Sequence, residues 1–224
     1  MKKILPLKML LIIAAISVSC NSDIQEDTVY KKDVKVLVLG NSILRHAPAP
    51  SLGWFGDWGM AASSPDKDFL HVYVRLLQES NKYNSVDVNY KVIAAWEFDF
   101  NFNLAQFVDI TSKEYDVLIV RLGENVRTTD NYFIELNKMI NLFKSEGTKV
   151  IITGLVWEDD IKENIHVKTC LENDYSFVPF DDFRSNTNNY AYGLFENLGV
   201  AGHPSDLGMN KIANLLYNKT IEIY

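Results

Sequence analysis

The run Val34-Lys-Val-Leu-Val-Leu39 is almost continuously apolar, half of it β-branched, and it stops at Gly40. A strand with one wet face alternates apolar and polar residues; one that fails to alternate is buried on both faces, as in a parallel sheet covered by helices. Parallel neighbours cannot be joined by a tight hairpin, so each strand must be followed by a crossover, usually helical. The rest of the chain obeys this rule. Val86–Ala94, Tyr115–Leu122 and Thr148–Thr153 have the same strand character, and Phe177–Phe180 is a weaker fifth strand. Between them, Asp68–Ser80 sets Phe69, Val72, Tyr73, Leu76 and Leu77 on one helical face, and Asn131–Lys144 does so with Phe133, Ile134, Leu136, Ile140 and Phe143 before a stop at Gly147. Asp160–Glu172 is a weaker helix, and Ser205–Tyr224 turns Leu207, Ile212, Leu215 and Leu216 inward. Strands alternating with helices predict an α/β fold, a three-layer α/β/α sandwich around a parallel sheet of about five strands.

Ahead of this domain, Met1-Lys2-Lys3 leads into an apolar run from Ile4 to Val18, then Ser19-Cys20. This order predicts a signal peptide over residues 1–19. It resembles the bacterial lipoprotein type, in which the cysteine, here Cys20, carries the lipid, although Ser17 stands where a leucine is usual. Residues 20–32 are polar and charge-mixed and read as a flexible tether. The expected location is therefore outside the cytoplasm, periplasmic or on the outer membrane or cell surface, held to the membrane through the lipid alone. With Cys20 modified, only Cys170 remains, so no internal disulfide is expected. The domain then runs from 33 to 224, about 190 residues, enough for one full core. A net charge of −7 opposes a nucleic-acid partner. No Cys/His cluster implies a metal, and no glycine-rich loop implies a nucleotide or other cofactor.

In open parallel sheets the ligand site lies outside the carboxyl ends of the strands. Three polar segments follow strand ends: Gly40-Asn41-Ser42, Ala95-Trp96-Glu97 and Gly123-Glu124-Asn125. A glycine at the first turn lets the backbone take an unusual conformation and leaves Ser42 facing the cleft. His203, just before Pro204, opens the last helix. Alone, each has a bland reading. Ser42 is then a turn residue, and Asn125 stabilises its own turn.

Together, in this order, the segments resemble the SGNH (GDSL-like) hydrolase family, whose fold is a flavodoxin-like α/β/α sandwich. The family's Gly-Asp-Ser block stands here as Gly40-Asn41-Ser42, its Gly-x-Asn-Asp block as Gly123-Glu124-Asn125-Val126, and its Asp-x-x-His block as Val200-Ala201-Gly202-His203. The second block's glycine is replaced by Ala94 or Ala95. The resemblance implies Ser42 as nucleophile and His203 as its base, with an oxyanion site formed by the backbone N–H of Ser42, a backbone N–H near Ala95, and the Asn125 side chain. Val200 takes the place of the aspartate that orients the histidine. The imidazole partner is then the Val200 carbonyl or Glu124, with Glu97 and Asp206 as further acceptors; Asp206 more naturally caps the last helix.

The long loop Ala47–Gly59 carries prolines, glycines and three aromatics, an ordered loop beside the nucleophile. Trp54 and Trp58 from it, with Trp96, are candidate ring faces for a substrate, against the plainer reading that large aromatics fill a core. His46 is a rival base four residues after Ser42, while His71 and His166 fall within helical patterns. The resulting expectation is a serine esterase removing small acyl groups, an acetyl on a carbohydrate by analogy. The alternative is a catalytically silent glycan-binding module on the same fold.

Overall fold

A computed structural model of the chain describes residues 31–224. The expected signal peptide, the lipid site at Cys20 and the tether up to residue 30 lie outside the described residues. Thirteen regular segments follow in order: β1 (Lys32–Gly40), α1 (Phe69–Glu79), β2 (Tyr83–Val92), α2 (Ala94–Phe98), α3 (Val108–Thr111), β3 (Val117–Arg121), α4 (Tyr132–Phe143), β4 (Lys149–Thr153), α5 (Asp160–Asn173), β5 (Ser176–Val178), α6 (Asp181–Arg184), α7 (Leu198–Ala201) and α8 (Asp206–Ile223). The five strands form one parallel sheet in the order β2-β1-β3-β4-β5. The chain thus leaves β1 for one edge, at β2, and returns past it to β3. In open parallel sheets such a reversal, here between β1 and β3, is where a ligand crevice is expected.

Period-two alternation decides which core each strand residue enters. Val34, Val36 and Val38 of β1, with Val117 and Ile119 of β3, pack under α1 and α8 beside Phe69, Tyr73, Met209, Ile212 and Leu216. Leu37, Leu39, Leu118 and Val120 point the other way, onto Leu136, Met139, Ile140 and Phe143 of α4 and Cys170 of α5. All five residues of β3 are buried, including Arg121 at its end. A charge at the end of an otherwise apolar central strand needs a partner, and the site supplies one.

Several expectations need correction. The second strand is an edge, runs earlier than expected and is largely half-exposed; Ala94, expected at its end, opens α2. In α4 the inward face holds Tyr132, Leu136, Met139, Ile140 and Phe143, and Ile134 is half-exposed. Ser205, not Asp206, caps α8 by accepting from the Gly208 N–H, while Asp206 binds the Ser63 backbone N–H and hydroxyl. Leu207 consequently falls on the wet side of α8. Among the described residues no helix is long and apolar enough to cross a membrane.

Candidate active site

β1 ends in a turn where the Leu44 and Arg45 amides both donate to the Asn41 carbonyl, at 3.0 and 3.1 Å. Gly40 is required there for space rather than for an unusual dihedral. A Cβ on it would meet the Leu44 Cβ at 2.6 Å, and it does not sit in the left-handed region. Gly123 has the conformational reason as well, with φ +125° and no room for a Cβ beside Leu155 and His166. The two turns lie side by side because Gly40 and Arg121 are register partners on adjacent strands.

Ser42 and His203, 161 residues apart, meet with Oγ 2.9 Å from Nε2. The other ring nitrogen, Nδ1, lies 2.7 Å from the Gly199 carbonyl oxygen. A carbonyl can only accept, so Nδ1 carries the proton and Nε2 keeps the lone pair that faces the serine hydroxyl. The Val200 carbonyl, expected in this role, instead accepts the His203 backbone N–H at 2.9 Å. Its side chain is buried in a cluster with Trp54, Met60, Ala61, Ala191 and Phe195. None of the three carboxylates considered as alternatives, Glu124, Glu97 and Asp206, takes the imidazole either. Trp157 stands edge-on to the His203 ring at 5.5 Å and is fixed by its own N–H to the Gly202 carbonyl at 3.0 Å. Burial holds the imidazole below its ordinary pKa, with positive charge from His46 and Arg121 adding to this and the Gly199 hydrogen bond and Glu124 opposing.

Behind the pair lies a buried polar cluster. Arg121 Nη1 donates to Glu124 Oε1 at 2.6 Å, and both side chains are essentially inaccessible. The Val156 N–H reaches the same oxygen at 3.2 Å. The Asn41 amide donates to Glu124 Oε2 at 2.9 Å and to Glu97 Oε1 at 3.3 Å, bridging two carboxylates. Burial pushes the Glu124 carboxyl up, but Arg121 and the hydrogen bonds outweigh it and leave it below the usual range. Glu97 goes the other way: burial, then the neighbouring Glu124, raise it. The Asn125 side-chain amide donates to Glu97 Oε2 at 2.8 Å, which occupies one of its two protons. Ala95 is exposed in the first turn of α2, next to these groups in sequence.

Two of the three candidate tryptophans, Trp54 and Trp96, are turned inward rather than offered as ring faces. Trp96 is 1% exposed and packed against Phe100 and Tyr132, and Trp54 is 3% exposed with its N–H on the His46 carbonyl. Trp58 is half-buried, its N–H held by the Ala62 carbonyl. Together they knit the Ala47–Gly59 loop through a bridge of His46 to Trp58 and another of Ala49 to Trp54. His46 turns its Nδ1 to the Ala47 carbonyl, and the Ser42 hydroxyl is met by His203 instead. His71 is exposed and pairs with the buried Asp68. His166, fully buried, receives the Tyr132 hydroxyl and meets the Thr153 carbonyl, bracing the Gly123 turn from behind. A cleft of about 580 Å³ separates Pro50–Gly53 from Leu194–Asn197, and Asn197 caps the short helix that presents Gly199. Among the described residues no group of three or more His, Cys, Asp or Glu could hold a metal. Cys170 is buried, which pushes its thiol up to about 12 and leaves it inert.

Three participants were not foreseen in these roles. The Gly199 carbonyl gives no side-chain signal at all. Glu97 was seen only as a partner for the histidine. Arg121 was passed over, although a charge ending an apolar strand with Glu124 three residues on is a signal that could have found it.

No family model matches the chain, and no curated protein sequence does. Solved structures do match. A protein named as a GDSL-like lipase from Parabacteroides merdae superposes with a TM-score of 0.59 at 18% identity, covering 85% of this chain and 96% of that one. Another so named, from Bacteroides uniformis, gives 0.56 at 12% identity, over 85% and 97%. A family two carbohydrate esterase from Cellvibrio japonicus gives 0.53 at 13% identity, over 87% of this chain and 62% of its own. The chain therefore has the α/β fold of the GDSL-like hydrolases.

Proposed function

We propose, on the fold shared with the GDSL-like hydrolases, that this chain is a serine ester hydrolase working through a Ser42–His203 dyad. The observation that carries the reading is the chain of contacts Ser42 Oγ to His203 Nε2 at 2.9 Å and His203 Nδ1 to the Gly199 carbonyl at 2.7 Å. His203 takes the hydroxyl proton as Ser42 Oγ bonds to the ester carbonyl carbon. The oxyanion forms against the N–H groups of Ser42 and Ala95 and the free amide proton of Asn125. The imidazolium then returns its proton to the leaving alcohol, and water, deprotonated by the same ring, clears the acyl-enzyme.

Much of the cost of losing the acidic member of a triad, about 10⁴ in turnover, comes from the wrong tautomer. The Gly199 carbonyl supports the right tautomer and accepts a stronger hydrogen bond from the imidazolium. It supplies no full charge, and Glu124 adds one from further off. The substrate reading is a small acyl group, an acetyl on a carbohydrate. It is supported by the likeness to a protein named as a carbohydrate esterase and by the polar residues Ser51, Glu196 and Asn197 in the cleft beside the helix that presents Gly199. We also propose export and lipidation at Cys20, tested by incorporation of labelled fatty acid that is lost in Cys20→Ala.

The test is release of acetate from an activated acetyl ester and from acetylated polysaccharide by the purified protein. Ser42→Ala and His203→Ala should each cost about 10³ or more in turnover. Equal background rates in all three proteins would defeat the esterase reading and leave the glycan-binding alternative.

A further inference from the structure

Glu97 is buried at 1% exposure in the short helix after β2, far in sequence from every block that carries the family resemblance except its own. Each group that touches its carboxylate is a donor. Oε1 receives the Gly123 N–H at 2.6 Å, the Asn125 N–H at 3.3 Å and the Asn41 amide at 3.3 Å. Oε2 receives the Asn125 side-chain amide at 2.8 Å. Such an environment suits an ionised, acceptor-only carboxylate; a protonated acid would set its O–H against a donor. Two main-chain groups of the Gly123–Asn125 turn and the amide at its end thus hang on one side chain from another strand's crossover.

The identity of residue 41 fits this arrangement. A carboxylate at that place would be a third one beside Glu97 and Glu124. The amide of Asn41 offers protons to both, so two acids share one buried pocket in which Arg121 is the cation paired to Glu124.

We propose that Glu97 is the positioning residue of the oxyanion site: it holds the Asn125 amide and the turn that bears it, with Asn41 as the bridge that lets Glu97 and Glu124 coexist. The inference rests on the esterase reading for its catalytic consequence, and on geometry alone for the hold itself. In Glu97→Gln the amide oxygen goes to the corner where three donors converge. Its NH₂ then faces the Asn125 amide, donor against donor, and releases it. One oxyanion donor lost costs about 10²–10³ in turnover. Ground-state binding of the ester does not use that donor, so KM stays within about twofold.

Acid should act in the same direction, since protonating Glu97 removes an acceptor. The charged and titratable groups facing it are Glu124 and Arg121 at the end of β3 and Tyr132 of α4, with His166 of α5 behind Tyr132. Asp99, Arg127 and Asp130 join it around a cavity of about 300 Å³.

Two readouts on the purified full chain test this. The first needs no catalysis: the Asn125 side-chain NH₂ resonances, assigned by their loss in Asn125→Ala, should titrate with a carboxylate in the parent and lose that titration in Glu97→Gln. The second is a double-mutant cycle on turnover. Glu97→Gln and Asn125→Ala should each lower kcat about 10²–10³, and the double variant should be no slower than the worse single. An Asn125 signal indifferent to Glu97→Gln overturns the hold. Losses that multiply to about 10⁴ or more overturn the claim that Glu97 acts through Asn125. A parent as inactive as Ser42→Ala, with the amide titration intact, refutes the esterase reading and the catalytic purpose of Glu97, while the hold is confirmed separately.

Discussion

Replacing Val200 separates the two accounts of how His203 is oriented. Where the resemblance puts an aspartate, this chain has a valine that is 1% exposed and packed among Trp54, Met60, Ala61, Ala191 and Phe195. If the Gly199 carbonyl orients the ring, the side chain at 200 is a packing residue only. Val200→Ala removes two carbons, about 1.6 kcal/mol at ~0.8 kcal/mol per buried methylene, rising to about 3 kcal/mol with the cavity left behind. Val200→Asp loses the whole apolar contribution, about 1.5–3 kcal/mol, and strands a carboxylate among aromatics at a further cost of several kcal/mol. The sum, about 4–6 kcal/mol, is a large part of the 5–15 kcal/mol that holds a typical domain together. Urea unfolding of both variants and turnover on an activated acetyl ester give the answer. Val200→Ala should unfold earlier yet keep kcat within about threefold, and Val200→Asp should be badly destabilised without gaining activity. A Val200→Asp protein that unfolds near the parent midpoint and turns over about tenfold faster would refute the reasoning, because it would mean that residue 200 faces the imidazole after all.

Two further outcomes follow from the buried charges. Burial lowers the His203 pKa from the ordinary 6.5, so the ring should titrate by NMR with a midpoint below that value and stay neutral, as a base must, through pH 7. The unfolded chain binds its proton at the higher pH, so this histidine costs stability only as pH falls below 6.5 toward the folded midpoint; a midpoint at or above 6.5 would contradict the burial argument. Arg121→Met leaves Glu124 buried without its cation and should cost about 3–5 kcal/mol in urea unfolding, with Arg121→Met/Glu124→Gln recovering part of it. A loss under about 1 kcal/mol would mean the pair is not dry.

The sheet was legible because β1, β3 and β4 are short, nearly unbroken apolar runs, and few other structures bury both faces of a strand. The edge was not. Tyr83–Val92 mixes Asn, Ser, Asp and Lys among its apolar residues, and only the topology shows that one side of it has no neighbour. Ser42, Asn125 and His203 could be named because side chains and their order carry the signal, and the fold brings Ser42 and His203 into contact. The partner of His203 could not, since a main-chain carbonyl looks the same at every position in a sequence. The tryptophans misled for a related reason: Trp54 read as a ring face from its loop beside the nucleophile and Trp96 from its place after a strand end, but the loop and α2 turn both inward to fill the space beside Val200 and Tyr132. Glu97 was visible as an acid near the cleft, but its four donors come from two other segments, the turns after β1 and β3, that meet it only in the folded chain.

The central claim is that Ser42 is a nucleophile activated by His203, and covalent capture tests it most directly. The purified protein is treated with a fluorophosphonate at neutral pH, digested, and read by mass spectrometry. The account predicts one adduct, on the peptide that contains Ser42, and its disappearance in His203→Ala. No adduct, or an adduct on Ser42 that survives the loss of His203, would contradict it.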